Sequence, residues 1–236
     1  MPRILAIVPA YNEEHSITKV IEDLRSIALL LDILIVNDGS TDNTSIVARQ
    51  TGNVKVIDLT LNLGIGGAVQ TGFIYACQNN YDIAIQFDGD AQHVAGEIEK
   101  IITPVISGEA DVVIGSRFLE NRSNYKTDFV RKLGIIIFQV VISVLNRKTI
   151  TDCTSGFRAY NKKAIKLLSD YYPVDYPEPE AVILLLRNGF ILKEVMVEMK
   201  QRWKGISSIS LLDGVYYMIK VLLAIFMTVL RTKGKK

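Results

Sequence analysis

Cysteine and net charge are both scarce in this chain, and each shortage restricts its chemistry. Cys77 and Cys153 are the two cysteines among 236 residues, and they lack the spacing of a metal-binding pair. We therefore expect buried thiols in a reducing compartment. The formal net charge is only +2, so no global positive field indicates a nucleic-acid partner.

The chain also begins without the long apolar run of an export signal. Ile4 to Val8 is apolar, but Pro9 ends it after five residues, which is too short for a signal-peptide core. We therefore expect the catalytic part to stay in the cytoplasm. Internal repeats and low-complexity segments are absent too, and the length suits one large domain with a short appendage.

Short apolar runs alternate with amphipathic segments through the first 117 residues. This alternation, with short connections, predicts an α/β fold with a mostly parallel, doubly wound sheet and helices on both faces. Each polar, glycine-rich cluster follows a predicted strand, and ligands bind outside the carboxyl ends of such strands. The clusters should therefore converge on one cleft. The predicted strands are 4–8, 32–36, 54–59, 83–87 and 111–115, with a final strand at 190–199.

Two apolar stretches follow residue 117, at 134–145 and 211–230. The first is too short to span a bilayer, which takes about 20 residues, so it is a buried helix or a helix at the membrane interface. The second contains Asp213 and Lys220 and precedes a basic tail, which favours an amphipathic, membrane-associated helix over a full span. A terminal helix packed on the core is the alternative. The predicted division is a domain at 1–208 and a C-terminal helix with tail at 209–236.

An acidic turn, Asp88-Gly89-Asp90, follows the fourth predicted strand. Two carboxylates this close repel each other unless a cation lies between them. A hard divalent ion carrying a phosphorylated substrate would satisfy both. The alternative is a structural turn in which Asp90 caps a helix beginning near Val94.

In their order, three motifs resemble family-2 glycosyltransferases with the GT-A fold, a Rossmann-like architecture. They are Pro9-Ala10-Tyr11-Asn12-Glu13, Asn37-Asp38-Gly39-Ser40-Thr41-Asp42 and Asp88-Gly89-Asp90. The resemblance covers roughly residues 4–208 and is strongest with the polyprenyl-phosphate branch, the dolichol-phosphate-mannose-synthase-like enzymes. Further motifs that support this branch are Asn62 to Ala68, Gln92-His93, Ser155-Gly156-Phe157-Arg158, and Arg202 with Gly205 and Ser207. Two positions depart from the family pattern. Asn37 lies where many members have an acidic residue, and Val94-Ala95 lies where several members have prolines.

The resemblance implies a donor site for a nucleotide-sugar. Pro9, Tyr11 and Glu13 would line the base and ribose pocket, and Asp38 would accept from the base. Asp88 would contact the ribose or the metal, while Asp90 and Gln92 would hold Mg2+ or Mn2+ against the diphosphate. The glycines Gly64, Gly66 and Gly67 would allow close approach of an anion to a helix N-terminus, unless they serve a purely structural turn.

Arginines are the predicted cations for an acceptor phosphate, because the guanidinium pairs bidentately with phosphate oxygens. Arg117, Arg131 and Arg158 are the candidates, and Arg202 would contact the donor diphosphate or the acceptor. The alternative, a surface arginine paired with an acid, applies best to Arg131 and least to Arg158. His93 is a helix cap or a secondary ligand.

An acceptor phosphate is already anionic at neutral pH, so it needs no strong general base. A sugar hydroxyl would need one, and Asp152 and then Glu180 are the candidates, with Glu178 behind them. The family also implies a single displacement with inversion at the anomeric carbon.

The resulting hypothesis is transfer from a UDP- or GDP-linked sugar to undecaprenyl or dolichyl phosphate, for cell-wall or surface glycans. It would occur at the cytoplasmic face of the membrane, with a peripheral or monotopic enzyme. Because many relatives have more membrane helices, a small membrane-protein partner or a homo-oligomer is a further hypothesis. The alternatives are transfer to a saccharide or lipid-linked oligosaccharide hydroxyl, and a nucleotide-binding membrane module without turnover.

Overall fold

The computed structural model describes residues 2–119, 150–174 and 176–200. Arg131, Arg202, both long apolar stretches and the predicted boundary at residue 208 lie outside these residues. None of the described helices is long and apolar enough to cross a membrane.

Seven strands and six α-helices make up the described part. The strands are β1 (Ile4–Ala10), β2 (Asp32–Asn37), β3 (Lys55–Asp58), β4 (Ile83–Gln86), β5 (Val112–Ser116), β6 (Arg158–Asn161) and β7 (Leu192–Met196). The helices are α1 (Ile17–Ser26), α2 (Thr44–Gln50), α3 (Gly64–Gln78), α4 (Ile98–Ile106), α5 (Lys162–Tyr171) and α6 (Pro177–Arg187), and a 3-10 turn at Ala95–Glu97 precedes α4.

The strands form one sheet in the order β3-β2-β1-β4-β6-β5-β7. All neighbours are parallel except β6, which runs antiparallel to both β4 and β5. The predicted mostly parallel α/β sheet is thus confirmed. Strand β6 was not among the strands predicted from the sequence. A four-residue strand buried on both faces has too little periodicity to be identified from sequence.

Helices cover both faces of the sheet, as predicted. Alternate residues of β1 pack into the two cores on opposite faces of the sheet. Leu5 and Ile7 pack with α3, α5 and α6. Ala6 and Val8 pack with α1, α2 and α4. Because successive side chains of a strand point to opposite faces, a wholly apolar strand such as β1 requires cover on both sides.

The residues that precede the first two helices do not cap them through their side chains. Ser16 precedes α1 and Asn43 precedes α2, each without a side-chain capping bond. Asp90 does not cap a helix either, because its Oδ1 accepts from the backbone N of Gln92 (3.0 Å) and stabilises the turn itself. The short polar side chains at this edge bond to neighbouring loops instead.

Candidate functional site

The loops after β1 and β4 meet at the carboxyl edge of the sheet. Ser16 Oγ donates to the Gly89 carbonyl oxygen (2.8 Å) and also bonds to the Glu13 carboxylate. A Cβ on Gly89 would lie 3.0 Å from the Pro9 carbonyl oxygen, so a larger residue would require the two loops to move apart by a few tenths of an ångström. Pro9 and Glu13 of the predicted nucleotide pocket therefore lie beside the acidic turn.

The loop after β2 binds the loops on either side of it. Asn12 Oδ1 accepts from the backbone N of Thr41 (2.9 Å), and the adjacent Tyr11 is exposed. On the other side, buried Asp38 accepts from the backbone N of Leu63 through Oδ1 (2.7 Å). This bond orders the glycine-rich loop, and contact of Asp38 with a nucleotide base stays a prediction.

Asp88 has an anionic carboxylate that is only partly used by the protein. Its side chain is 29% exposed, and Oδ2 lies 3.0 Å from His93 Nε2. Oδ1 is buried and has no hydrogen-bond partner among the described residues. Burial alone would raise the pKa of Asp88, but His93 and, more weakly, Gln86 and then Arg117 hold this pKa below its usual value.

His93 lies beneath the acidic turn. Its ring stacks on Phe157, with centroids 4.9 Å apart, and meets the edge of Phe87 at 5.2 Å. Within the described part of the chain neither ring nitrogen has a hydrogen-bond partner. From the sequence, His93 was predicted only as a helix cap or a secondary ligand. Its position in the Gln92-His93 pair, one residue after Asp88-Gly89-Asp90, is the signal that could have given it more weight.

Gly156 closes the site from the β6 side. A Cβ at this position would lie 2.9 Å from Asp88 Oδ2 and 3.0 Å from Gln86 Nε2. A side chain here would displace the carboxylate. The Ser155-Gly156-Phe157-Arg158 motif thus lies close against the acidic turn, a contact that was not predicted from the sequence.

Asp88, Asp90 and Gln92 suit a divalent cation that is bound together with a ligand. They provide hard oxygen donors, and the unpartnered Oδ1 of Asp88 shows that the protein alone leaves part of this capacity unused. No group of three or more His, Cys, Asp or Glu residues that could hold a metal occurs in the described ranges. The remaining oxygens would therefore have to come from water or from the ligand.

Arg117 and Asp152, predicted as phosphate cation and general base, bind each other. Arg117 Nε and Nη2 donate to Asp152 Oδ2 (2.7 Å) and Oδ1 (2.8 Å), and both side chains are buried. The Arg117 backbone N also donates to Oδ2, and Thr154 Oγ1 to Oδ1. Both oxygens of the predicted base are thus occupied within a bidentate ion pair.

Arg158 is fully buried and bonds to backbone rather than to a surface acid. Its guanidinium donates to the carbonyl oxygens of Ser155 (2.7 Å), Cys153 (2.8 Å) and Glu178 (3.1 Å). In this arrangement it joins the loop before β6 to α6. Contact with an acceptor phosphate stays a prediction, and it would require these bonds to be exchanged.

Of the remaining predicted residues, Gly66 has a packing role and Glu180 lies in the first turn of α6. A Cβ on Gly66 would lie 2.5 Å from the Val174 carbonyl oxygen, so Gly66 packs α3 against the loop after α5. Glu180 is buried in the first turn of α6. In the same turn, burial raises the pKa of Glu178 although Arg158 opposes the shift.

Known proteins resemble this chain over most of its length. The family model for glycosyl transferase family 2 matches residues 5–168. A UDP-N-acetylglucosamine–dolichyl-phosphate N-acetylglucosaminyltransferase from Methanococcus voltae is 33% identical over 213 residues, 83% of this chain and 84% of the relative. The polyprenol monophosphomannose synthase of Mycolicibacterium smegmatis is 27% identical over 88% of this chain and 81% of its own.

The fold matches solved structures as well. Glucosyl-3-phosphoglycerate synthase from Mycobacterium tuberculosis, crystallised with Mn2+, UDP-glucose and phosphoglyceric acid, aligns with a TM-score of 0.73 at 19% identity, covering 96% of this chain and 79% of that one. Mannosyl-3-phosphoglycerate synthase from Rubrobacter xylanophilus aligns at 0.74 and 15% identity, covering 100% and 77%. Because the family model matches residues 5–168, which is more than half of the chain, this chain belongs to glycosyl transferase family 2 and is a glycosyltransferase.

Proposed function

We propose that the enzyme transfers a sugar from a nucleotide-sugar, UDP- or GDP-linked, to a polyprenyl phosphate. The observation that carries this proposal is the under-used carboxylate of Asp88 at the carboxyl edge, where the loops after β1, β2 and β4 meet. Relatives named for dolichyl and polyprenol phosphates support the choice of acceptor.

On the donor side, the chain's own residues would bind and orient the nucleotide. Pro9, Tyr11 and Glu13 would contact the nucleoside, and Asp38 would hold the glycine-rich loop while its carboxylate faces the base. Asp88, Asp90 and Gln92 would hold Mg2+ or Mn2+, which when bound neutralises charge on the departing diphosphate.

The acceptor needs no proton acceptor from the protein under this proposal. A phosphate oxygen of the lipid forms the new bond to the anomeric carbon, while the bond from that carbon to the diphosphate breaks and the nucleoside diphosphate leaves. The commitment of both Asp152 oxygens to Arg117 supports this route over a hydroxyl acceptor, for which Asp152 would have to be available as a base.

The place of reaction follows from the acceptor. A polyprenyl phosphate is held in a membrane, whereas nucleotide-sugars are water-soluble, so the enzyme would work at a membrane surface. The sparse cysteines support the cytoplasmic face.

Transfer to lipid tests the proposal directly. The purified full chain is incubated with polyprenyl phosphate and labelled UDP- and GDP-sugars, and the expected product is a lipid-soluble label that mild acid releases. Asp90→Ala should abolish transfer, because a ligand to the cation is lost, and a chelator should do the same to the unaltered chain. Asp170→Asn, which changes an exposed acid on α5, is the matched control and should leave the rate unchanged. Transfer that persists in chelator would rule out the metal role.

A further inference from the structure

Exposed apolar side chains are concentrated at the edge of the sheet that carries the site. Seven of the twelve large ones in the described part lie there, whereas Leu30, Ile106 and Ile191 lie at the opposite edge. The seven are Tyr11, Leu61, Leu63, Ile65, Leu119, Tyr171 and Val174. Single exposed apolar residues are ordinary on a protein surface, but a contiguous group indicates an interaction site.

Four of these residues lie on two segments that meet at Gly66 and Val174, and we call them the apolar rim: Leu61 (72% exposed), Leu63 (51%), Ile65 (44%) and Val174 (56%). Two loops far apart in sequence contribute to it, and the close approach of Gly66 to the Val174 carbonyl oxygen holds them together. The bond from Leu63 N to Asp38 connects the rim to the candidate donor site.

The rim is also uncharged. No charged residue occurs between Asp58 and Asp82, a segment of 23 residues that contains the β3–α3 loop and all of α3, and none occurs in 171–174. Burying a charge in an apolar environment is costly, so this surface can leave water without that penalty.

We propose that the apolar rim is a membrane contact, which inserts Leu61, Leu63, Ile65 and Val174 between lipid headgroups. The inference rests on the proposed function, because an acceptor embedded in a bilayer requires the carboxyl edge to face that bilayer. The rim binds through apolar burial rather than through attraction to anionic lipids, so its contribution persists at high salt and on uncharged membranes.

Flotation of the full chain with phosphatidylcholine vesicles at about 0.5 M salt isolates this contribution, because exposed charges are then screened within a few ångströms. The double variant Leu61→Glu/Val174→Glu should reduce the vesicle-bound partition roughly tenfold to a hundredfold. Leu61→Trp should increase it, since tryptophan favours the interface. Leu30→Glu, at the opposite edge and 87% exposed, should have no effect. Thermal unfolding confirms that each variant is folded.

Two activity assays separate this proposal from the proposed function. With a water-soluble, short-chain polyprenyl phosphate, the double variant should transfer sugar like the unaltered chain, whereas with a long-chain acceptor in vesicles its rate should fall about as far as its binding. Absence of transfer by the unaltered chain in both assays would refute the proposed function, while rim-dependent vesicle binding would still stand. Unchanged vesicle binding by the double variant, an equal loss in Leu30→Glu, or loss only of association with a second protein chain would overturn the membrane contact.

Discussion

Two groups of polar side chains lie near the carboxyl edge of the sheet, and they differ in how fully their hydrogen-bonding capacity is used. In the acidic turn, residues 88–93, Asp88 Oδ1 and both nitrogens of His93 are buried without a hydrogen-bond partner among the described residues. In the arginine–aspartate cluster, which comprises Arg117, Asp152, Thr151 and Glu194, both Asp152 oxygens are bonded to Arg117. Glu194 accepts from Asp152 N (2.8 Å) and Thr151 N (2.7 Å).

This difference distinguishes side chains that are available to bind a ligand from side chains that stabilise the fold. Buried polar groups are nearly always hydrogen-bonded in folded proteins, and an unpaired one costs stability. A group that stays unpaired at a strand end is therefore available to a ligand, whereas a fully bonded pair stabilises the loop that contains it. From sequence, Asp88 was a predicted ribose or metal contact and Asp152 a predicted base for a hydroxyl acceptor, and no motif indicated which of the two is paired.

The largest expected effect is on activity, in the acidic turn. Asp88→Asn keeps the shape of the side chain but removes its charge, so transfer should fall on the order of 10⁴-fold, about 5 kcal/mol of barrier. The midpoint of urea unfolding should hardly change. Steady-state rates and urea titrations measure the two quantities. A large loss of stability in Asp88→Asn would remove the contrast between the two groups.

The next effect is on stability, in the arginine–aspartate cluster. Asp152→Ala removes the buried carboxylate that accepts from both Nε and Nη2 of Arg117, so the free energy of unfolding should fall by about 3–5 kcal/mol. The double variant Arg117→Met/Asp152→Leu should recover part of this loss, because neither charge is then buried alone.

Glu109→Ala is the matched control for that change. Glu109 pairs with Lys193 at 2.7 Å on the exposed surface, where an ion pair contributes little, so this variant should unfold like the unaltered chain. If Asp152→Ala also unfolds normally but loses transfer only to a hydroxyl acceptor, Asp152 is a base and the interpretation of the cluster is wrong.

The smallest effect tests the contact between the loop before β6 and the acidic turn. Gly156→Ala would place a methyl group 2.9 Å from Asp88 Oδ2. Because a displacement of about 1 Å in a reacting group costs up to about 10²-fold in rate, transfer should decline by roughly that factor. Gly96→Ala is the control, since nothing lies within 4 Å of its added Cβ. Equal rates in the two variants would show that the position of Asp88 tolerates the methyl group.

Much of the fold was predictable because its signals are local. Local hydrophobic patterns predicted all six parallel strands of the sheet, and polar clusters after them marked the edge that carries the site. The exceptions have a common cause. β6 is recognisable only from its partners β4 and β5, and the stacking of His93 on Phe157 joins residues 64 positions apart in the chain, which no periodicity records.

The sequence by itself determined the family, the alternation of strands and helices, and the acidic turn, because each depends on the type and spacing of neighbouring residues. Only the tertiary structure decided what the charged residues contact. It brought Arg117 to Asp152 across 35 positions and buried Arg158 among backbone carbonyls, while Asp88 kept an oxygen without a partner. The reason is physical: the pairing of a charge depends on which side chains the sheet order places within about 3 Å of it, and sheet order is a long-range property.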